Sequence, residues 1–88
     1  MSKTHVIYKY ELACTDIQLL HLPADAEILS IQLQNGNICA WAKLNPAKPK
    51  VSRKIIMAGT GGPVSDAPMR HIATVQAGVM VWHFFEED

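Results

Sequence analysis

Between Ile28 and Leu44 the chain reads ILSIQLQNGNICAWAKL, two runs of alternating apolar and polar residues on either side of Asn35-Gly36. Asn-Gly between alternating runs is the strongest short-range signal for a two-residue hairpin, because a type I′ turn needs positive φ at both central positions. A tight turn there sets Leu33 opposite Ile38, Ile31 opposite Ala40, Leu29 opposite Ala42 and Ser30 opposite Trp41. Alternate side chains of a strand share a face. The apolar set, closed by Leu44, therefore forms an inside, and Trp41 stands on the polar outside. A slip of one residue would turn the apolar set to water, so this stretch specifies strand, register and face together.

The remaining runs extend the same pattern. His5 to Leu12 places Val6, Tyr8, Tyr10 and Leu12 on one face, and its aromatic and β-branched content favours a strand. Ile17 to Leu22 reads as a short strand before the turn Pro23-Ala24-Asp25; a helix over Asp16 to His21 competes but would be too short to hold. The prolines at 46 and 49 make an exposed connection to a strand over Val51 to Ala58. Gly59 to Met69, with three glycines and two prolines, is an irregular loop of the length that binding loops and lids have. Arg70 to Gln76 and Val79 to Phe85 form a second hairpin about Ala77-Gly78, apolar enough to be packed on both sides. Glu86-Glu87-Asp88 reads as a charged tail with no structural demand. The chain, residues 1–88, is thus expected to be a single all-β domain: a small antiparallel β-sandwich or partly open barrel of six to seven short strands.

Charge narrows the partners. Eight basic and eight acidic side chains balance to zero, which disfavours sequence-independent nucleic-acid binding and does little to oppose self-association. No stretch has the length of a membrane span, and MSKTHVIYKY lacks a signal-peptide core, so a cytoplasmic protein with Cys14 and Cys39 reduced is expected.

No constellation for catalysis or metal binding is evident. His5, His21, His71 and His83 have no ligand spacing, and a two-residue turn at Ala77-Gly78 puts His71 and His83 on opposite faces. Ser52, Ser65, Thr60 and Cys39 have no sequence-local histidine partner. Neither a catalytic residue nor a metal or cofactor is expected. Binding features are present. Gly59, Thr60, Gly61 and Gly62 follow a strand, where successive N–H groups can converge on an anion, or simply make a glycine-rich turn. They match neither a Walker loop nor a dinucleotide fingerprint. Arg53 and Arg70 offer planar forks for phosphate or carboxylate. Trp41 can stack on a base, anchor an interface, or pack under the Pro46–Pro49 loop; Trp82, in an apolar strand, belongs to the core.

The strings YKYEL, ILSIQLQNGNICAWAKLNP, GTGGP, HIATVQ and VWHFFE together resemble a family of short all-β phage and prophage proteins without an assigned role. The resemblance runs from Tyr8 to Glu86. Its most specific elements are Gln34-Asn35-Gly36 with Trp41, Gly59-Thr60-Gly61 with Pro63, and His71 with Thr74-Val75-Gln76. It implies a phage origin, a host-cell cytoplasmic location and, by class, a counter-defence role. The reading that joins these observations is a non-catalytic, homo-oligomeric binder that sequesters a small nucleotide-derived signal. Gly59–Gly62 with Arg53 or Arg70 would take phosphates, Trp41 would stack on the base and His71 would donate a hydrogen bond. The alternative is a protein-binding inhibitor of a host factor, or an assembly component, acting through an open sheet edge or a Trp41-centred patch.

Overall fold

A computed structural model describes residues 4–88. Seven strands follow in order: β1 (Val6–Glu11), β2 (Ile17–Pro23), β3 (Glu27–Gln34), β4 (Asn37–Leu44), β5 (Lys50–Gly59), β6 (Met69–Ala77) and β7 (Met80–Glu87). They form two antiparallel sheets, ordered β1-β4-β3 and β2-β5-β7-β6, that are not closed into a barrel. Of the two architectures expected, the sandwich is the one formed.

The central hairpin forms about Asn35 (φ 52°) and Gly36 (φ 82°), the two positive angles of a type I′ turn. Space around Gly36 is open, so a side chain there meets only the backbone penalty of the left-handed region. We expect Gly36→Val to cost about 1–2 kcal/mol in chemical denaturation, with the β-sheet spectrum retained. Register follows the expected pairs as far as Ser30 opposite Trp41 and then shifts. Ile28, not Leu29, lies opposite Ala42, and Leu29 bulges out to 44 % exposure. Ile28 and Leu29 are equally apolar, so alternation alone could not choose between them.

The second hairpin turns one residue later than expected. Ala77 pairs with Met80, leaving Gly78 (φ 62°) and Val79 in the loop, so glycine takes the first central position as a type II′ turn prefers. Val79 is accordingly 97 % exposed. A second bulge at Ile72 separates His71, opposite Phe85, from Ala73, opposite Phe84. Nor are β6 and β7 covered on both sides: His71, Thr74 and Gln76 stand exposed on the outer face of their sheet.

The core lies between the sheets. Ile31, Ile38, Ala40, Ala42 and Leu44 meet Leu20, Leu22, Ile55, Met57, Val75 and Phe84, with Trp82 packed against them as expected. Cys39 is buried, Cys14 exposed, and both are free thiols. The terminal acidic run is not a tail. Glu86 and Glu87 are the last residues of β7; Glu86 is buried and Glu87 pairs with Lys54 at 2.9 Å.

Candidate functional site

Strand parity places three charged side chains on the core side of the larger sheet. Arg53 alternates with Ile55 and Met57 on β5, and Glu86 with Phe84 and Trp82 on β7. Arg70 lies opposite Glu86 on β6. Arg53 meets the Glu86 carboxylate through both Nε (2.5 Å) and Nη2 (2.7 Å). Its Nη1 donates to the carbonyls of Ala26 (2.6 Å) and Pro23 (3.2 Å). One buried guanidinium thereby ties the β2–β3 turn to β5 and β7. The hydrogen bonds from Arg53, reinforced by its charge and by Arg70, hold the Glu86 carboxyl below its ordinary value against the opposing effect of burial. The same bond to Glu86 raises Arg53 further.

Arg70 has the opposite character. Its Nη2 donates to Glu86 Oε1 at 2.6 Å, yet its side chain is 64 % exposed. Its other nitrogens have no protein partner among the described residues. Arg70 borders a cleft of about 450 Å³ that runs from Ala24–Ile28 on one side to Arg53, Arg70, His71 and Ile72 on the other. The two bulges, at Leu29 and Ile72, fall at the two strands that flank this cleft. Bulges re-aim side chains and end regular pairing beside functional sites. Asp25 and Glu27 also line the cleft, so it presents both signs of charge.

The remaining predicted residues fall elsewhere. His71 touches the cleft, but its ring belongs to the outer face, edge-on to Phe85 with centroids 5.4 Å apart. There the bulge puts it on the same face as His83, not the opposite one. His71 Nε2 lies 3.0 Å from Thr74 Oγ1, Thr74 Oγ1 lies 3.0 Å from His83 Nδ1, and His83 Nε2 lies 2.7 Å from Thr60 Oγ1. This hydroxyl–imidazole chain can run in either direction, since each member both donates and accepts. It joins a hydroxyl to a base across 23 residues, which no local pattern reveals. Among the described residues no carboxylate orients the imidazole, and of the four only His71 borders a cavity described above.

The glycine loop sits at the far end of β5 from Arg53, roughly 20 Å along the strand. Two of its amides are occupied: Gly62 N–H donates to Gly59 O, and Thr60 N–H donates to Val81 O. A side chain at Gly59 would press on Trp82 at 3.2 Å. Gly62–Ser65 instead lean over the outer face of β5, enclosing a second cavity of about 410 Å³ with Ile17, Lys54 and Ile56. Trp41 is half-buried on the outer face of the other sheet, between Lys9 and Ser30. Of the eight candidate residues, then, Arg53, Arg70 and His71 come together, while Trp41 and Gly59–Gly62 do not join them. Sequence reasoning missed Glu86, Asp25 and Glu27. Among the described residues, no three metal-ligating side chains cluster, and no helix is long and apolar enough to cross a membrane.

These features define a small two-sheet all-β domain with a bulge-flanked cleft, bordered by Arg53 and Arg70, which Glu86 holds together from behind. The chain belongs to the family described as a domain of unknown function, DUF7352, whose model matches residues 3–88. No curated protein and no solved structure matches it.

Proposed function

We propose that this protein is a non-catalytic binding domain whose Arg70 cleft holds a small ligand of the nucleotide type. The observation that carries the reading is the position of both bulges beside a cleft in which Arg70 is anchored by Glu86 while its other donors stay free. A guanidinium fixed in this way is preorganised for phosphate or carboxylate. Asp25 and Glu27 would repel a bare anion, and they accept hydrogen bonds. The pair of demands suits a molecule with an acidic group at one end and amino donors at the other, as an adenine or guanine nucleotide has. The volume lies within the ordinary range for small-ligand sites. Arg53 has a supporting part here, holding the turn that forms one wall. The likeness to phage proteins makes sequestration of a host nucleotide signal the biological role we assign to the site.

Native mass spectrometry with cyclic dinucleotides, cyclic trinucleotides and ADP-ribose derivatives tests this reading. We expect a stoichiometric adduct with a member of the panel. Arg70→Ala should weaken it by about 10- to 100-fold, the loss of a charge-assisted hydrogen bond, with thermal stability little changed because Arg70 is exposed. An adduct that survives Arg70→Ala unchanged would move the site away from the cleft. One observation favours protein contact as a second reading: Val6, Ile7 and Tyr8 on β1 are all substantially exposed.

A further inference from the structure

Strand β1 carries an apolar pattern that one copy of the chain does not bury. Val6, Tyr8 and Tyr10 alternate on the core side of the sheet, opposite Leu44, Ala42 and Ala40. Leu44, Ala42 and Ala40 are at most 2 % exposed, whereas Val6 is 37 % and Tyr8 46 % exposed. The larger sheet thus covers β4 and stops short of β1. On the outer side Ile7 is 60 % exposed. β1 is also an edge, with β4 its one ladder partner among the described residues, so its far row of backbone donors and acceptors offers a template for another strand. The other edges are better guarded. β3 and β6 are bulged, and β2 ends in Pro23 with its core-side Leu20 and Leu22 buried.

We propose that β1 pairs antiparallel with β1 of a second copy about a twofold axis, joining the two three-stranded sheets into one of six strands. Self-complementarity argues for a second copy, and charge selects the register. An axis at Lys9 would oppose two like charges, which is unfavourable. An axis at Ile7 would set Lys9, Tyr10 and Glu11 opposite residues that precede β1, leaving half of the strand without partners in it. An axis at Tyr8 sets Tyr8 against Tyr8 and Val6 against Tyr10 on the core side. On the outer side it sets Ile7 against Lys9 and, just before the start of β1, His5 against Glu11, so one residue of the strand rather than three pairs beyond it and an acid faces a histidine. The exposed core-side area of β1 is then covered from the partner's sheet as well as along the edge. A six-residue edge is smaller than a standard interface of roughly 800 Å² per partner, which places dissociation in the micromolar range, about 1–100 μM.

Sedimentation velocity across that range tests the pairing. We expect a monomer–dimer equilibrium that Tyr8→Glu shifts about 100-fold toward monomer by opposing two carboxylates at the axis. Leu19→Glu, at a 55 % exposed position on the β2 edge, should leave it unchanged. In a Cys14→Ser background, Tyr8→Cys should cross-link into a disulfide dimer, because directly opposed Cα atoms at about 4.5–5.5 Å suit the bond. Leu19→Cys should not. The cross-link decides the matter if Tyr8→Glu fails to fold. A native chain that stays monomeric throughout, a dimer indifferent to Tyr8→Glu, or cross-linking at position 19 in place of position 8 would overturn the proposal.

Discussion

Arg53→Ala is expected to destabilise the domain by about 3–5 kcal/mol, the cost of leaving one member of a buried ion pair uncompensated. Three consequences add up at this position. Glu86, 8 % exposed, retains only the exposed Arg70 as a charge partner. The carbonyl of Ala26 loses its 2.6 Å donor, and the β2–β3 turn loses its tie to β5. In a domain of this size such a loss removes a large part of the total stability, and equilibrium urea unfolding measures it. Glu86→Ala should cost a similar amount by stranding Arg53. Arg53→Met combined with Glu86→Leu should recover most of the loss, though not all, because Ala26 O still lacks its donor.

The pair also has a pH signature. Because the folded state holds Glu86 below its ordinary value of 4.5, the carboxylate binds protons less readily in the fold than in the unfolded chain. Its contribution is therefore fully present above the unfolded value and is lost as pH falls through the folded one. Unfolding midpoints of the native chain should drop on acidification below about pH 4.5, and Glu86→Gln should flatten that part of the profile. An identical acid profile in Glu86→Gln would show that other carboxylates carry the dependence.

Phe84→Ala is the second large effect, about 3–5 kcal/mol and independent of pH and salt. Phe84 is fully buried on the central strand β7, flanked across the ladder by Met57 and Ala73. Met57 could relax toward the vacated space, but the single methyl of Ala73 cannot fill it, so part of the cavity remains. Comparing the two variants separates the causes of their losses. Arg53→Ala should respond to acid, whereas Phe84→Ala should lose the same stability at every pH at which the native chain is folded.

Much of this fold was legible because alternation and turn chemistry agreed with each other. Asn35-Gly36 and its flanking runs specified the central hairpin as far as Ser30, and the run His5–Leu12 announced a strand with an apolar face, though not its place at the sheet edge. Alternation carries no mark of a bulge. At Leu29 and again at Ile72 the chain is apolar on consecutive positions, and either residue could have turned inward. The Ile72 bulge alone reversed the relation between His71 and His83, since a turn shifted by one position keeps every residue on its face, and that is why the hydroxyl–imidazole chain was invisible.

The candidate site was half legible. Arg53 and Arg70 show their anion-binding chemistry in the sequence, but Glu86, next to Glu87 and Asp88, reads there as part of a terminal tail. Parity could have found it. Trp82, Phe84 and Glu86 alternate through the end of the chain just as Arg53, Ile55 and Met57 do, and a carboxylate on a core face calls for a cation opposite. Asp25 and Glu27 were not recoverable in this way, because their place depends on how the β2–β3 turn folds back over the larger sheet.

The central claim is that the Arg70 cleft, and not the glycine loop or Trp41, receives a ligand. Amide chemical shifts of the labelled protein, followed while the nucleotide panel is titrated in, test it most directly. The account predicts perturbations concentrated at Ala24–Ile28 and Arg70–Ile72, lost in Arg70→Ala. Perturbations centred on Gly59–Gly62 or Trp41, or a spectrum unmoved by every member of the panel, would contradict it.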